Sequence, residues 1–393
     1  MKVNNFYKNH IVDTSMADVI KYNPYYYNME SGLTDPVIID GKEYVNLASN
    51  NYLGLACDER VKKAVIKGVE KYGASMCGTP IATGYIDEFK KVEQKLSKFV
   101  GLEDTMIFPS CYQANFGIIS LLASKEDLIV VDHYAHNSLI QGIKSTGCKI
   151  KPFIHNDVNH LEKILQSSSE YKQVFVITES VFSTEGSIAP FDEIVGVCNK
   201  YDALPIIDDS HGIGVIGKTG KGILEDKNIK DFQGIYTASL GKAIAVAGGM
   251  VSGKKELINY LRYMCGSYTY STALPPALFL GIEKVIDIIE SEFGSLSKTM
   301  WKYKRMISDS LKDNGYKTTK SEAPINSVIC GSLEDTVKFS KILFENGILS
   351  TPFIPPSVPL NSGVVRLIAG ANLKEESVTK AVRVFKEISE HVK

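Results

Sequence analysis

Asp208 and Lys242 are the two residues of this chain whose types and spacing point most directly to chemistry. Asp208 closes an apolar, β-branched run in Ile206-Ile207-Asp208-Asp209-Ser210-His211-Gly212, and Lys242 follows 34 residues later in the small-residue loop Ser239-Leu240-Gly241-Lys242. A carboxylate at a strand end and a lysine flanked by Gly241 and Ala243 meet two distant needs of pyridoxal 5′-phosphate. The amine would form a Schiff base with the aldehyde, and the acid would keep the pyridine nitrogen protonated. That proton turns the ring into an electron sink, which brings a carbanion at an amino acid α-carbon within reach near neutral pH. A lysine in such a loop has little reason to be a surface charge, and withdrawal from water is one way a lysine nucleophile is activated.

Other segments supply candidate partners. Pro109-Ser110-Cys111-Tyr112-Gln113-Ala114-Asn115 follows a predicted strand and opens an apolar helix through Phe116, Ile118, Ile119, Leu121 and Leu122. Free N–H groups and the partial positive charge of a helix N-terminus suit a phosphate; alone, Ser110 would be read as a simple N-cap. Asp132-His133-Tyr134-Ala135-His136-Asn137-Ser138 comes directly after Leu128-Ile129-Val130-Val131, at the strand edge where open α/β sheets bind ligands. Either histidine there could stack on a flat ring or be merely hydrogen-bonded. Val176-Ile177-Thr178-Glu179-Ser180-Val181-Phe182-Ser183-Thr184-Glu185-Gly186 ends another strand, with Glu179 and Ser183 as cofactor contacts. Ser183 could donate to the phenolic oxygen or serve only as a turn residue. Tyr270-Ser271-Thr272-Ala273-Leu274-Pro275-Pro276 offers hydroxyls for a second phosphate contact. Arg366, within Val364-Val365-Arg366-Leu367, would be costly to bury unpaired. It fits a bidentate clamp on a substrate carboxylate or a structural ion pair.

The elements that must position these groups alternate. Predicted strands at Thr105–Pro109, Asp127–Asp132, Val174–Glu179, Leu204–Asp208 and Gly249–Ser252 are separated by amphipathic helices, as at Phe89, Val92, Leu96 and Phe99. That pattern predicts an α/β domain with a mainly parallel sheet over residues 50–280. The polar, tyrosine-rich residues 1–49 look like an arm contributing to a smaller domain. Residues 281–393 are expected to form that smaller C-terminal α+β domain. The pattern changes after Pro275-Pro276 to a long helix from Leu278 to about Phe293, and the chain closes in a helix with Val378, Val382, Phe385 and Ile388 on one face.

Composition sets limits on partners. Across 393 residues, 44 lysines and arginines nearly balance 45 aspartates and glutamates, so no global field favours nucleic acid or an anionic membrane. The opening Met1–Lys8 lacks the apolar core of a signal peptide, and no window of about eighteen residues is uninterruptedly apolar. The expectation is a cytoplasmic protein acting on small molecules. The seven cysteines are scattered, with no C-x-x-C pair. They are expected to be reduced thiols, with neither a metal site nor a disulfide framework.

Taken in order, these residues resemble the α-oxoamine synthase family of pyridoxal-phosphate enzymes of fold type I. The likeness runs from about Asn46 to the C-terminus. It is carried by Asn50-Asn51-Tyr52-Leu53-Gly54, Ser110-Cys111-Tyr112, Ala135-His136-Asn137-Ser138, Val181 to Gly186, Asp208-Asp209-Ser210-His211, Ser239-Leu240-Gly241-Lys242, Ser271 to Pro276, and Arg366. The resemblance implies a decarboxylative condensation of a small amino acid with an acyl thioester (on CoA or a carrier protein), giving an α-amino ketone, CO2 and free thiol. It implies that Lys242 holds the cofactor and then serves as acid and base, that His136 stacks on the ring, and that Asp208 pairs with its nitrogen. His211 and Ser183 would bind the phenolic oxygen. Cys111, Tyr112, Ser239 and a neighbouring subunit's Thr272 would surround the phosphate, and Asn50 and Arg366 would hold the substrate carboxylate. A homodimer with shared active sites is expected.

The chain also departs from that pattern. Many family members carry an arginine and, nine residues later, a histidine where this sequence has Pro80 and Phe89. The cofactor chemistry is untouched by this change, but the acyl partner is open, and a fatty or carrier-bound acyl group is one expectation. The competing readings are an aminotransferase of the same fold and a non-catalytic subunit. A dinucleotide-binding dehydrogenase, suggested only by Gly212-x-Gly214-x-x-Gly217, is the weakest of them.

Overall fold

The computed structural model describes residues 22–389; the Met1–Lys8 opening and the first part of the proposed arm lie outside them. Two compact units divide the chain, one from Asn50 to Met300 and one that joins residues up to Ser49 with those from Trp301 onward.

The first strands among the described residues form a hairpin, β1 (Val37–Ile39) and β2 (Lys42–Asn46). The larger unit then builds a seven-stranded sheet from β3 (Asp104–Phe108), β4 (Leu128–Asp132), β5 (Lys149–Phe153), β6 (Val174–Glu179), β7 (Leu204–Asp208), β8 (Ile235–Ser239) and β9 (Gly249–Gly253). Their order is β3-β9-β8-β7-β6-β4-β5. Neighbours are parallel throughout β8-β7-β6-β4-β5, and only β9 runs against its neighbours. β4 and β6 are buried along their whole length, which is why their sequences read as continuous apolar runs and not as alternations. All five predicted strands exist, shifted by no more than one residue at an end.

Two strands of this sheet were not predicted. β5 is one of the two edge strands, and its Lys149 and Lys151 break the apolar signal in the way edge strands commonly do. β8 is a short Ile-Tyr-Thr-Ala-Ser run between loops, too brief to stand out.

Helix α1 (Asp87–Val100) buries Phe89, Val92, Leu96 and Phe99, as the spacing predicts. Helix α2 (Cys111–Leu122) starts where Ser110 Oγ accepts from the Gln113 N–H at 3.2 Å. Helix α3 (Asn137–Thr146) follows β4. The N-terminus of α2 rests on the first residue of β9, and only glycine allows that approach. A Cβ on Gly249 would lie 2.3 Å from both Cα and N of Cys111 and 2.6 Å from the Ser110 carbonyl carbon. These are backbone atoms that cannot swing aside, so Gly249→Ala should lower the urea midpoint by the equivalent of about 1–3 kcal/mol, the usual cost of overpacking. A wild-type midpoint would show that α2 can shift away from the sheet.

Helix α4 spans Ala277–Asp313, some twenty residues beyond the predicted end. Gly294 and its serine neighbours weaken the local helical signal, but Tyr303, Ile307 and Leu311 continue the apolar stripe and are buried. In the smaller unit, β10 (Asn326–Gly331), β11 (Ile348–Leu349), β12 (Thr351–Phe353) and β13 (Gly363–Leu367) complete two three-stranded sheets, β1-β2-β11 and β10-β13-β12. Helix α5 (Glu375–Ile388) buries Val378, Ala381, Phe385 and Ile388. Val382, expected on that face, is only partly buried, because the 3-4-3 spacing carried by Ala381 follows the helical turn more closely. Among the described residues no helix is long and apolar enough to cross a membrane.

Candidate active site

Five elements deliver their functional groups to the carboxyl edge of the large sheet. β6 and β7 pair in register so that Glu179 lies opposite Asp208, and β7 and β8 pair so that Asp208 lies opposite Thr237. Beyond those strand ends come the loops with His136, Ser183, His211 and Lys242, and α2 presents its N-terminus beside them through the contact at Gly249.

Asp208 is the centre. Its carboxylate is buried and accepts from Asn115 Nδ2 at 2.7 Å and from the Ser210 N–H at 3.0 Å. Both donors are neutral. Asn115 is itself fully committed, with a second amide donor on Ser138 Oγ at 3.0 Å and its Oδ1 accepting from Thr237 Oγ1 at 2.8 Å. The rotamer of Asp208 is therefore set from behind by two further elements, α3 through Ser138 and β8 through Thr237.

His136 is the N-cap of α3. Its Nδ1 accepts from the Ser138 N–H at 3.2 Å and lies 2.8 Å from Ser138 Oγ, and its backbone N–H donates to Glu179 Oε1 at 2.7 Å. Burial lowers its pKa from the usual histidine value, and the positive Lys242 pushes the same way against the pull of Asp208. With Nδ1 accepting, the ring is a flat neutral imidazole. Glu179 is held well above the usual carboxylate range by burial and by repulsion from Asp208, although Lys242 opposes both. Cys111 is likewise raised, by burial and then by Asp208, with Lys242 in opposition. Lys242 and Asp208 thus act together on all three groups, although 34 residues separate them in the chain. Lys242 itself is half-buried.

His211 is buried with Nδ1 2.8 Å from the hydroxyl of Tyr52, whose ring meets it edge-on. Ser210 Oγ accepts from the Ser239 N–H at 2.8 Å, and Ser239 Oγ accepts from the Gly241 N–H at 3.2 Å. This chain of bonds ties the end of β7 to the lysine loop. Tyr112 is half-exposed at the start of α2. Gln113 on the same turn donates to Ser271 Oγ at 3.1 Å, next to the exposed Thr272. Asn50 carries a buried Oδ1 with no hydrogen-bond partner.

The second aspartate of the pair points elsewhere. Asp209 Oδ2 accepts from Tyr236 OH at 2.8 Å and from the Ile223 N–H at 3.0 Å, and burial pushes its pKa up to about 7. Gly222, at φ 86°, passes so close that a Cβ there would sit 1.9 Å from that oxygen. The glycines after His211 thus wrap a buried carboxylate and lead into only a four-residue helix, Ile223–Asp226. No dinucleotide-type turn forms there.

Arg366 belongs to the smaller unit. It sits buried on the central strand β13, opposite Ser327 and Thr351, with its guanidinium 4.8 Å from the centroid of the Phe353 ring.

Asn115, Ser138 and Tyr52 were not assigned roles from sequence. The one available signal was Asn115, a poor helix former placed at the head of an apolar helix. All seven cysteines are free, and no group of metal-ligating side chains occurs among the described residues.

The donor set fits pyridoxal phosphate. A buried carboxylate held only by neutral donors is costly unless a cation faces it, and a protonated ring nitrogen would supply that cation. A neutral histidine, a lysine and a helix N-terminus converge on the same edge. Residues 42–385 match the family described as aminotransferase class I and II. The chain is 36% identical to 8-amino-7-oxononanoate synthase of Thermoanaerobacter pseudethanolicus over 90% of each chain, and 36% identical to that of Treponema denticola over the same shares. Among solved structures it is similar to the serine palmitoyltransferase of Sphingomonas wittichii, with a TM-score of 0.93 and 27% identity over 98% of each chain. It is also similar to an 8-amino-7-oxononanoate synthase of Francisella tularensis, with a TM-score of 0.76 and 26% identity over 88% of this chain and 98% of that one. Fold and site together define a pyridoxal-phosphate-dependent transferase of fold type I. Within that class the chain belongs to the α-oxoamine synthase family.

Proposed function

We propose that this enzyme condenses a small amino acid with an acyl thioester, with loss of CO2, to give an α-amino ketone and free thiol. The observation that carries the reading is the buried Asp208 carboxylate, fixed by Asn115 and the Ser210 N–H, at the same sheet edge as Lys242. Bound at that edge, pyridoxal phosphate supplies an electron sink for the charge that develops at the amino acid α-carbon. Asp208 would hold a proton on the ring nitrogen. Lys242 would anchor the cofactor and move the proton at the α-carbon. His136, whose backbone N–H donates to Glu179, would stack on the ring. His211, steadied by Tyr52, and Ser183 would bind the phenolic oxygen. Ser110, Cys111, Tyr112 and Ser239 would surround the phosphate at the N-terminus of α2. Asn50 and Arg366, each in its own unit, remain the candidates for the substrate carboxylate, and the Asn50 Oδ1 without a hydrogen-bond partner suits the substrate's ammonium or an ordered water.

Pairing of two copies accounts for Thr272 as a phosphate ligand of a neighbouring site. Tyr260, Tyr263, Met264 and Tyr270 leave 47%, 71%, 53% and 89% of their surface exposed, a cluster of large apolar groups that a second copy would cover. The balance of charge fits an enzyme of the cytoplasm.

For the acyl donor, Pro80 and Phe89 are the distinguishing residues. Pro80 is buried at the first position of the π-helical turn Pro80–Gly84, and Phe89 is fully buried between Tyr85 and Phe279, with ring centroids 4.8 and 4.4 Å away. A site built with apolar groups at these positions favours a fatty or carrier-bound acyl chain over a short or carboxylated one. The relatives named 8-amino-7-oxononanoate synthase favour the carboxylated alternative. Turnover with glycine, alanine or serine against acetyl-, pimeloyl-, medium- and long-chain acyl thioesters decides between them. We expect the longer chains to give the higher kcat/KM, and a clear preference for acetyl or pimeloyl overturns the reading. Keto acid formation without an acyl donor would instead identify an aminotransferase.

A further inference from the structure

Beside the site lies a charged cluster that the reaction as described does not use. His155, in the loop after β5, has Nδ1 3.0 Å from Asp132 Oδ1 and Nε2 2.9 Å from Ser187 Oγ and 3.4 Å from Glu185 Oε1. Its ring is stacked on Tyr134 at 4.5 Å and meets Phe182 edge-on at 4.3 Å. The order Asp132–His155–Ser187 is that of a hydrolase triad, but the protons are wrongly placed for one. Ser187 Oγ already donates to Glu185 Oε1 at 2.6 Å. The two carboxylates outweigh the loss of solvent and push His155 up to about 9. With carboxylates on both sides the imidazolium is the favoured form at neutral pH, and it donates toward Asp132 and toward Ser187 and Glu185; Asn156 Nδ2 also lies 3.2 Å from Nε2. Because the Ser187 hydroxyl proton is already given to Glu185, His155 is no base for Ser187.

What the cluster does is join three loops. Asp132 also accepts from the N–H groups of Tyr134 at 2.8 Å and Asn156 at 3.1 Å, which fixes the start of the segment leading to His136. On the other side, Ser187 and Glu185 close the loop that carries Ser183. That loop is pinned at its base by Phe182 N–H to Ser187 O at 3.0 Å and Gly186 N–H to Phe182 O at 2.8 Å.

We propose that His155 is a positioning residue, an imidazolium clamp that ties the 182–187 loop to Asp132 and so sets where the Ser183 hydroxyl stands over the cofactor site. The link to catalysis rests on the reading of Ser183 as a cofactor ligand; the clamp itself does not. The groups facing His155 that titrate or carry charge are Asp132, Glu185 and Tyr134. Because its pKa is raised in the folded protein, the clamp is complete below the ordinary histidine range of about 6.5 and fails as pH rises through about 9.

The test compares wild-type holoenzyme with His155→Gln, Ser183→Ala and the double variant. Amide hydrogen exchange of residues 182–187 is followed from pH 7 to 10, corrected for the intrinsic rise of exchange with pH. The wild-type loop should be protected at pH 7 and lose protection near pH 9. His155→Gln should show low, pH-independent protection and a kcat lower by about tenfold, the scale of supporting residues one layer out from a site. The double variant should be no slower than Ser183→Ala alone. Wild-type protection in His155→Gln, or losses that multiply in the double variant, overturns the clamp. Wild-type turnover in Ser183→Ala, with the loop still opened by His155→Gln, overturns instead the role given to Ser183.

Discussion

Lys242→Ala protein is expected to fold, to purify without the visible absorbance of the bound cofactor, and to lose turnover by about 10²–10⁴-fold or more, the lower bound being the range of a lost general acid–base group. The expectation follows from position. Among the described residues, Lys242 is the lysine whose charge acts on His136, Glu179 and Cys111 together with that of Asp208, so no neighbouring amine can replace it. Its loop is held by the Ser239 and Gly241 N–H groups donating to the Ser210 and Ser239 hydroxyls, bonds that the substitution leaves in place, and the circular dichroism spectrum and urea midpoint should stay near wild type. In the native enzyme, borohydride reduction followed by peptide mapping should place a pyridoxyl group on the fragment carrying Lys242. A label elsewhere, or a coloured Lys242→Ala protein, would sink the assignment.

Much of this arrangement could be read from sequence because the candidate residues stand at, or just beyond, the ends of strands. Asp132, Glu179 and Asp208 each close a buried strand, and an apolar run that stops at an acid marks both the strand and its functional end. Lys242 was legible for a different reason. A lone lysine among Ser, Gly and Ala is out of place on a surface loop, even though the strand before it, β8, was missed.

The supporting layer could not be read in the same way. Asn115 bonds to Asp208 across 93 residues and Tyr52 to His211 across 159, and no spacing rule joins such pairs. His155 looks ordinary in sequence because its partners come from β4 and from the loop after β6. Local weakness misled in two further places. Gly294 and nearby serines hid the second half of α4, whose stability comes from buried Tyr303, Ile307 and Leu311, and alternating lysines hid β5 at the sheet edge. In each case tertiary packing outweighs local propensity.

Asp208→Asn separates the charge of the central residue from its shape. The amide fills the same volume and can still accept from the Ser210 N–H, so the fold and the attachment of cofactor to Lys242 should persist. It cannot hold a proton on the ring nitrogen, and kcat should fall on the order of 10²–10³-fold, the scale of losing one preorganised electrostatic partner in a dry site. A second cost arises behind it. If the new side-chain amide turns its carbonyl to Ser210, its NH2 group faces Asn115 Nδ2, and two donors meet where a donor and an acceptor stood at 2.7 Å. Asn115 can relieve this only by turning over, which places its own donor against Thr237 and gives up its bond to Ser138. Ser138 also holds His136, so the damage should reach the stacking ring as a broadened or shifted cofactor absorbance band. Removing the negative charge also lets the Glu179 carboxyl relax toward its ordinary range, leaving burial as the main force holding it up. Steady-state turnover, the absorbance spectrum and borohydride mapping on one preparation test all of this: the label should remain on Lys242 while kcat falls. A variant with wild-type kcat would remove Asp208 from its place opposite the ring nitrogen.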